Sequence, residues 1–231
     1  MRMIKPIAEG FGRIRKGCAV MGKNTEVELK LLISKEELQK MLALDFVQGA
    51  IRSGSKKQRR LISSYYDTED LSFKRHGIAY RVRDKGDGSF EATVKTNKKT
   101  VGGYSERLEL NIPLAADEAV LAGFEELGLG CDLEKLAPNG VRRLFTVDVE
   151  RTTYILDLEG AVAELALDYG RIVAGEKYDP IDEVEIELLE GSAEALLAFA
   201  ARLKENIPIG EEQRSKFVRG LALLGIAADK V

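Results

Sequence analysis

One short stretch decides the fold, Glu26-Val27-Glu28-Leu29-Lys30. As a β-strand, it alternates its side chains between two faces, so that Glu26, Glu28 and Lys30 share one face and the aliphatic residues share the other. Charged side chains are poorer strand formers than Val, Thr or Tyr. One such strand is typical of any half-solvated sheet, but the same alternation recurs along this chain. When a sheet repeatedly carries charge on one face, the pattern indicates that the protein needs charged side chains there.

Composition narrows the class of protein. The 231 residues include 32% charged residues, yet the net charge is only -3, whereas a general nucleic-acid binder is strongly basic. The sequence has no apolar run long enough to span a membrane and no signal-peptide core. Cys18 and Cys131 resemble no metal motif, and we expect reduced thiols in a cytoplasmic protein. The single histidine, His76, argues against a His-based zinc site or catalytic triad.

Residues 1–22 differ in character from the rest of the chain. They are basic with scattered apolar residues, and they predict an N-terminal extension that is either a short helix or a loose tail. No linker rich in Pro, Gly or Ser divides the residues that follow. We therefore expect a single domain over residues 23–231.

About eight strands show the alternating pattern. They are predicted near residues 25–33, 61–67, 78–83, 90–95, 104–112, 141–158, 162–169 and 182–189. The segment 141–158 is either a hairpin or one long bent strand. Helices are predicted from the N-cap Ser34 to about Leu44, over 117–127, over 192–204, and after Pro208. A helical turn is predicted at 68–73, and loops or turns at 52–60, Asp87-Gly88 and Gly102-Gly103.

The charged positions that share a strand face are numerous and of both signs. The acids are Glu26, Glu28, Glu91, Glu109, Glu164, Asp168, Glu183, Glu185 and Glu187. The bases are Lys30, Arg81, Arg83, Lys95, Arg107, Arg143, Arg151 and Lys216. Antiparallel strands of this number can close into a barrel, with helices covering the aliphatic outer face. The charged inner face must then be wet and hold a charged ligand, because buried ionised groups are costly unless they are paired or bound.

The two signs of charge indicate what that ligand is. Clusters of Arg and Lys recognise phosphate, and Arg does so through a bidentate fork. Clustered carboxylates are hard oxygen ligands that suit Mg²⁺ or Mn²⁺. The sequence contains no Walker-type glycine loop. The pattern therefore predicts a site for a metal-bound polyanion such as a triphosphate, held by side chains of the sheet.

The ordered series of these motifs resembles one known family. Glu26-Val27-Glu28-Leu29-Lys30 is similar to the ExExK signature of the CYTH, or triphosphate tunnel metalloenzyme, superfamily. The resemblance covers roughly residues 24–222 and continues in order through Arg81-x-Arg83, Thr93-x-Lys95, Arg107-x-Glu109, Arg151, Glu164 to Asp168, Glu183-x-Glu185-x-Glu187 and Ser215-Lys216-Phe217.

The resemblance implies an α+β fold, an eight-stranded antiparallel β-barrel that forms a triphosphate tunnel with helices packed on the outside. It implies metal ligands at Glu26, Glu28, Glu185 and Glu187, and phosphate-binding residues at Lys30, Arg81, Arg83, Lys95, Arg107, Arg151 and Lys216. Further metal contacts or orienting groups are expected at Glu109, Glu164, Asp168 and Glu183. The expected catalytic group is Lys30, Glu185 and Glu187, and either of the two glutamates could position the attacking water. Two positions stay open: Arg142 could replace Arg143 inside the barrel, and Glu91 could be an ion-pair partner.

The function implied first is metal-dependent hydrolysis of inorganic triphosphate to diphosphate and phosphate, with Mg²⁺ or Mn²⁺ as cofactor. The alternatives are a class IV adenylyl cyclase that makes cyclic AMP from ATP, a thiamine triphosphatase, and a non-catalytic polyphosphate-binding module. The sequence shows no helical CHAD domain after this module. We expect a small-molecule triphosphate or polyphosphate partner, no nucleic acid and no membrane. The chain is expected to be a monomer or a homodimer, since an exposed strand edge could pair with a second copy.

Overall fold

Antiparallel strands dominate the computed structural model of the chain, which describes residues 19–20, 25–96, 99–101, 104–211 and 214–227. Most of the N-terminal extension and the predicted Gly102-Gly103 turn lie outside these ranges. The strands are β1 (Ala19–Val20), β2 (Thr25–Leu32), β3 (Lys57–Asp67), β4 (Ala79–Asp84), β5 (Phe90–Lys95), β6 (Lys99–Val101), β7 (Tyr104–Leu114), β8 (Leu129–Gly130), β9 (Arg142–Leu158), β10 (Ala161–Ala174), β11 (Lys177–Gly191) and β12 (Gly210–Glu211). The helices are α1 (Lys35–Ala43), α2 (Asp45–Ala50), α3 (Ser72–Arg75), α4 (Leu133–Leu136), α5 (Ala193–Asn206) and α6 (Lys216–Leu223).

Eight of the strands close into a barrel. Their order is β2-β11-β10-β9-β3-β4-β5-β7, and β7 pairs back onto β2, with Glu26 opposite Arg107. Each pairing around this ring is antiparallel. The short strand β6 pairs with β7, and the short strand β12 pairs with β2. Strand β1 pairs only with β8 among the described strands. The eight-stranded antiparallel barrel expected from the sequence is confirmed.

Helices cover the aliphatic outer face of the barrel, as the alternation predicts. Met41 of α1 and Leu203 of α5 are almost fully buried in one apolar cluster with Leu31 and Ile186 of the barrel wall. The predicted cap of α1 is present: the Ser34 side chain accepts a hydrogen bond from the Glu37 backbone N–H, and the Glu37 carboxylate accepts one from the Ser34 backbone N–H. Such a capping box satisfies two otherwise unpaired backbone donors.

One end of the barrel interior is apolar rather than charged. Phe217 and Leu221 of α6 pack against Phe145, Ile172 and Ile181, three residues that share the strand phase of the inward-facing charges. Because β10 and β11 are longer than the sequence predicts, their inner faces continue past the charged zone. Helix α6 therefore fills one end of the barrel and leaves the charged groups in the middle.

The structure corrects two sequence-based expectations. Residues 117–127 form turns rather than a helix, and Gly123 lies there at φ +90°, a conformation that a right-handed helix does not contain. The predicted loop 52–60 ends early, because β3 begins at Lys57. Of the two alternatives predicted for segment 141–158, the structure has the single long strand, which begins at Arg142. The short helix α4, capped by Asp132, was not predicted.

Two further findings concern the helices and the cysteines. No helix in the described part of the chain is both long and apolar enough to cross a membrane. Cys131 is disulfide-bonded, which differs from the reduced thiol expected from the sequence. The other cysteine, Cys18, lies outside the described ranges.

Asp67 holds the turn that connects strand β3 to helix α3. Its side chain is fully buried and accepts hydrogen bonds from the backbone N–H groups of Thr68, Phe73 and Lys74 at 2.8, 2.8 and 3.0 Å. Replacing Asp67 with Ala leaves three donors without their acceptor, so we expect the free energy of unfolding to fall by roughly 3 kcal/mol or more. Urea denaturation measures this, and Asp67→Asn, which keeps one acceptor oxygen, should lose less. Equal stability of wild type and Asp67→Ala would contradict the anchoring role.

Candidate functional site

The predicted charges converge in a cavity inside the barrel, which we call the central cavity. All of the predicted phosphate-binding bases line it, namely Lys30, Arg81, Arg83, Lys95, Arg107, Arg151 and Lys216. Five of the predicted metal ligands line it as well, namely Glu26, Glu28, Glu109, Glu185 and Glu187. The alternation read from Glu26 to Lys30 therefore places these side chains inside the barrel.

The strand register sets which charges face each other. Between β2 and β11, Lys30 lies opposite Glu185, whereas Glu28 lies opposite Glu187. Glu187 in turn lies opposite Glu164 on β10. Opposite charges across a ladder stabilise a sheet and like charges destabilise it. The barrel wall thus contains a favourable pair and, beside it, a row of three carboxylates.

One ion-pair network joins β2, β5 and β7. Lys95 Nζ lies 2.8 and 2.9 Å from the two carboxylate oxygens of Glu26, and it also pairs with Glu109. Arg107 donates to Glu26 Oε2 at 2.7 Å and to Glu28 Oε1 at 2.8 Å. The side chains of this first network are largely buried, and several short contacts fix their geometry.

A second network joins β9, β10 and β11 to helix α6. Arg151 makes a bidentate pair with Asp168, both contacts 2.6 Å, and donates to Glu185 at 2.7 Å. Lys216 Nζ lies 2.8 Å from Glu185, 2.8 Å from Glu183 and 2.9 Å from Asp168. The pKa of Asp168 is lowered to about 2, because Lys216 and Arg151 outweigh the opposing effect of burial. This network holds Arg151 and Lys216 as cations at the wall of the cavity.

Two arginines of β4 are neutralised less completely than these bases. The Nε atom of Arg81 is buried without a hydrogen-bond partner in the described ranges, and its nearest carboxylate contact is Glu109 at 3.7 Å. Among the described residues, Arg83 donates a hydrogen bond only to the Ser63 hydroxyl, at 2.8 Å. Burial, followed by the neighbouring Arg81 and Arg151, lowers the pKa of Arg83 to about 9. Two adjacent arginines with so little compensating negative charge indicate a place for an anion.

Glu187 shows the opposite imbalance. No base of the described chain forms an ion pair with it, and Glu26, Glu109 and Glu164 all lie near enough to disfavour its charge. Burial, followed by Glu26 and Glu109, raises the pKa of Glu187 to about 7. No ready-made group of three metal ligands exists among the side chains that the structure describes. Even so, a row of carboxylates, one buried and two half-buried, with too little positive charge has the chemistry of a site for a hard divalent cation.

The structure places the remaining predicted residues elsewhere. Glu164 lines a neighbouring cavity rather than the central one, and Asp168 is fully buried behind Arg151. Arg142 and Arg143 are both exposed, so the expectation that one of them points inward is wrong. A β-bulge in the β3–β9 pairing beside Tyr66 reverses the phase of β9 before Phe145, which turns Arg143 outward.

Several residues of the site were not predicted. Tyr65 lines the central cavity, and Ser63 accepts the hydrogen bond of Arg83. Both lie on the inner face of β3, and only the alternation along 61–67 could have revealed them. Arg219 pairs with Glu183 and with Asp179, so it holds the inner end of the second network. Glu91 pairs with Lys85 at 2.7 Å, which agrees with the ion-pair alternative.

Comparison with known proteins decides the family. The family model described as the CYTH domain matches residues 24–221, which is most of the chain and includes every charged residue of the central cavity. The chain belongs to the CYTH family. The CYTH resemblance seen in the sequence is thereby confirmed.

Relatives of this CYTH chain include a curated protein and several solved structures. Inorganic triphosphatase of Haemophilus influenzae is 30% identical over 204 residues, covering 86% of this chain and 54% of the relative. The chain thus spans about half the length of that relative. An adenylyl cyclase-like protein of Hippeastrum, described as having a dominant triphosphatase activity, superposes with a TM-score of 0.59 at 22% identity, covering 85% of this chain and 95% of the other. An adenylate cyclase-like protein of Bacillus halodurans gives 0.52 at 23%, covering 85% and 98%. At these identities the structures show the shared fold.

Proposed function

We propose that this CYTH chain hydrolyses a triphosphate in the presence of a divalent metal ion, and that inorganic triphosphate is its substrate. One observation carries the proposal: in the described part of the chain, the central cavity has one arginine without a carboxylate partner, Arg83, one with only a distant partner, Arg81, and a carboxylate without a basic partner, Glu187. A triphosphate supplies the missing negative charge and a metal ion the missing positive charge. The inorganic triphosphatase of Haemophilus influenzae supports the choice of substrate.

The bases would bind and orient the phosphates. Arg81 and Arg83 present donors that no protein carboxylate uses fully. Lys30, Lys95 and Arg107 lie farther along the wall in ion pairs and would add charge as the phosphoryl group transfers. Because such donors are already in place, they stabilise charge that develops in the transition state without rearrangement.

The carboxylates would hold the metal and the attacking water. Glu26, Glu28, Glu185 and Glu187 are the residues suited to holding Mg²⁺ or Mn²⁺. When bound, such a cation withdraws charge from phosphoryl oxygens and makes a bound water more acidic. Glu185 is engaged by Arg151, Lys216 and Lys30, whereas Glu187 is not engaged by a base. Glu187 is therefore the better candidate to orient water through its carboxylate oxygens.

Loss of Arg83 should weaken substrate binding. Replacing Arg83 with Ala removes a charged donor of the cavity, so we expect KM for triphosphate to rise about 10- to 100-fold with a smaller change in kcat. Initial rates over a range of triphosphate concentrations measure both constants. Arg60→Ala is the matched control, because Arg60 is exposed on β3 and pairs with Asp148 outside the cavity. An unchanged KM for Arg83→Ala would remove Arg83 from the substrate site.

A substrate panel tests the proposed function. Inorganic triphosphate, ATP and thiamine triphosphate are each supplied with Mg²⁺ or Mn²⁺, and free phosphate and cyclic AMP are both measured. Release of phosphate from inorganic triphosphate, far above that from ATP, supports the proposal. Cyclic AMP formed from ATP would instead place the chain among the cyclases. Tight triphosphate binding without turnover would make it a binding module.

A further inference from the structure

Arg219 of α6 is a buried arginine that lies behind the wall of the central cavity. Its side chain is almost inaccessible to solvent, and its guanidinium reaches three acceptors on β11. The Nε atom lies 2.7 Å from Asp179 Oδ2, one terminal nitrogen donates to Glu183 Oε1, and the other donates to the Pro180 carbonyl. Because the guanidinium is a planar and rigid fork, three acceptors on one strand fix both its position and its direction.

Glu183 connects Arg219 to two bases of the central cavity. Its Oε1 oxygen accepts the hydrogen bond from Arg219, whereas its Oε2 oxygen lies 3.1 Å from Lys30 Nζ and 2.8 Å from Lys216 Nζ. Both lysines line the central cavity, and Glu183 is almost fully buried behind them. The carboxylate thus presents one oxygen to the two lysines, while Arg219 occupies the other oxygen.

The charge on Glu183 opposes the binding of phosphate at these lysines. Glu183 lies opposite Asp168 in the β10–β11 ladder, and Lys216 Nζ lies 2.8 Å from the first carboxylate and 2.9 Å from the second. Two buried carboxylates therefore compete with a phosphate for the same ammonium group. A positive charge at Glu183 Oε1 weakens that competition, because a carboxylate paired with a guanidinium attracts a further cation less strongly.

We propose that Arg219 is a positioning residue for the substrate: acting through Glu183, it keeps the ammonium groups of Lys30 and Lys216 directed toward the central cavity. The inference rests on the proposed triphosphatase function. Without Arg219, the Oε1 oxygen of Glu183 loses this partner, and the carboxylate rotates to bind the lysines through both oxygens. The ammonium groups then withdraw from the phosphates of the substrate, so that substrate binding weakens.

Two substitutions of Arg219 separate the effect of its charge from the effect of its fork. Arg219→Gln removes the positive charge, and we expect KM for inorganic triphosphate to rise about tenfold with a smaller change in kcat. Arg219→Lys returns a positive charge to Glu183 without the fork, so its KM should lie within about threefold of wild type while its stability falls. Initial rates over a range of triphosphate concentrations and urea denaturation measure these effects.

Lys177→Gln is the matched control for the packing of α6. The Lys177 ammonium donates to the Leu223 carbonyl at 3.1 Å and ties the other end of α6 to β11, but Lys177 lies well before Glu183 along the strand. The KM of this variant should equal that of wild type. If Arg219→Gln does not fold, Arg219→Met takes its place, because it removes the same charge and fills the space with apolar atoms.

A double-mutant cycle tests the route through Glu183. Because Arg219 acts through this carboxylate, the double variant Glu183→Gln with Arg219→Gln should have the same KM as Glu183→Gln alone. Additive effects of the two substitutions would exclude the route. An unchanged KM in a folded Arg219→Gln protein would leave Arg219 as a structural anchor. An equal rise in KM for Lys177→Gln or for Arg219→Lys would show that the packing of α6, rather than charge, controls binding.

The same variants distinguish failure of this inference from failure of the proposed function. If the wild type binds triphosphate without hydrolysing it, the proposed function fails, and Kd values from isothermal titration calorimetry replace KM in every comparison above. A Kd that rises in Arg219→Gln and is restored in Arg219→Lys would still support the positioning role. A wild type that does not bind triphosphate at all would overturn both.

Discussion

Glu187→Gln should abolish hydrolysis without destabilising the fold. The carboxylate is half-buried in a row with Glu28 and Glu164, and no base of the described chain pairs with it. Its removal takes away a proposed metal ligand, for which a loss of at least about a hundredfold in kcat/KM is expected, since even supporting residues of metal sites cost that much. It also removes like-charge repulsion, so the free energy of unfolding should stay equal or rise. Phosphate release and urea denaturation measure the two effects.

Activity and stability, measured together, distinguish a catalytic role of Glu187 from a structural one. Glu190→Gln is the control, because Glu190 lies on the same strand but is exposed, and both its activity and its stability should match wild type. A Glu187→Gln protein that loses activity only because it unfolds would show a structural role. A Glu187→Gln protein that retains full activity would show that Glu187 is not a ligand of the metal.

Asp168→Asn should be the most destabilising single change in the barrel wall. The carboxylate is fully buried and makes a bidentate pair with Arg151 and an ion pair with Lys216. Removing its charge leaves two buried cations partly unpaired, for which we expect a loss of about 3 to 5 kcal/mol in the free energy of unfolding. Urea denaturation of the purified variant measures the loss.

Asp157→Asn provides the matched comparison. Asp157 also makes a bidentate pair with an arginine, Arg52, but that pair is on the surface, where solvent screens it. Its removal should leave stability close to wild type. If Asp168→Asn were equally harmless, the second network would not depend on this carboxylate, and the placement of Arg151 would need another explanation.

The alternation of charge was sufficient to predict the barrel and most of the site. Once Glu26, Glu28 and Lys30 share an inner face, closure of the sheet brings the in-phase charges of the other strands to the same cavity. The alternation could not predict which residues lie opposite each other on neighbouring strands. The register that sets Glu187 beside Glu28 and Arg59 opposite Arg151 depends on long-range packing rather than on local sequence.

The predictions from sequence that proved wrong have local physical causes. The phase of Arg143 was misread because a bulge in the β3–β9 pairing inserts one residue that the period of two does not reveal. The segment 117–127 has helix-forming residues, yet it folds as turns around Phe124, which is almost fully buried in the outer core. The apolar end of the interior was missed because Ile172 and Ile181 lie beyond the predicted ends of their strands.

In the proposed mechanism, Arg81 and Arg83 would bind triphosphate, and the carboxylates around Glu187 would bind a divalent cation. A crystal structure with Mn²⁺ and an imido-linked, non-hydrolysable triphosphate tests this arrangement, because Mn²⁺ is located by its anomalous scattering. We expect a manganese peak beside Glu187 and phosphoryl oxygens that accept hydrogen bonds from Arg81 and Arg83. Triphosphate bound outside the barrel, or manganese at carboxylates remote from the central cavity, would contradict it.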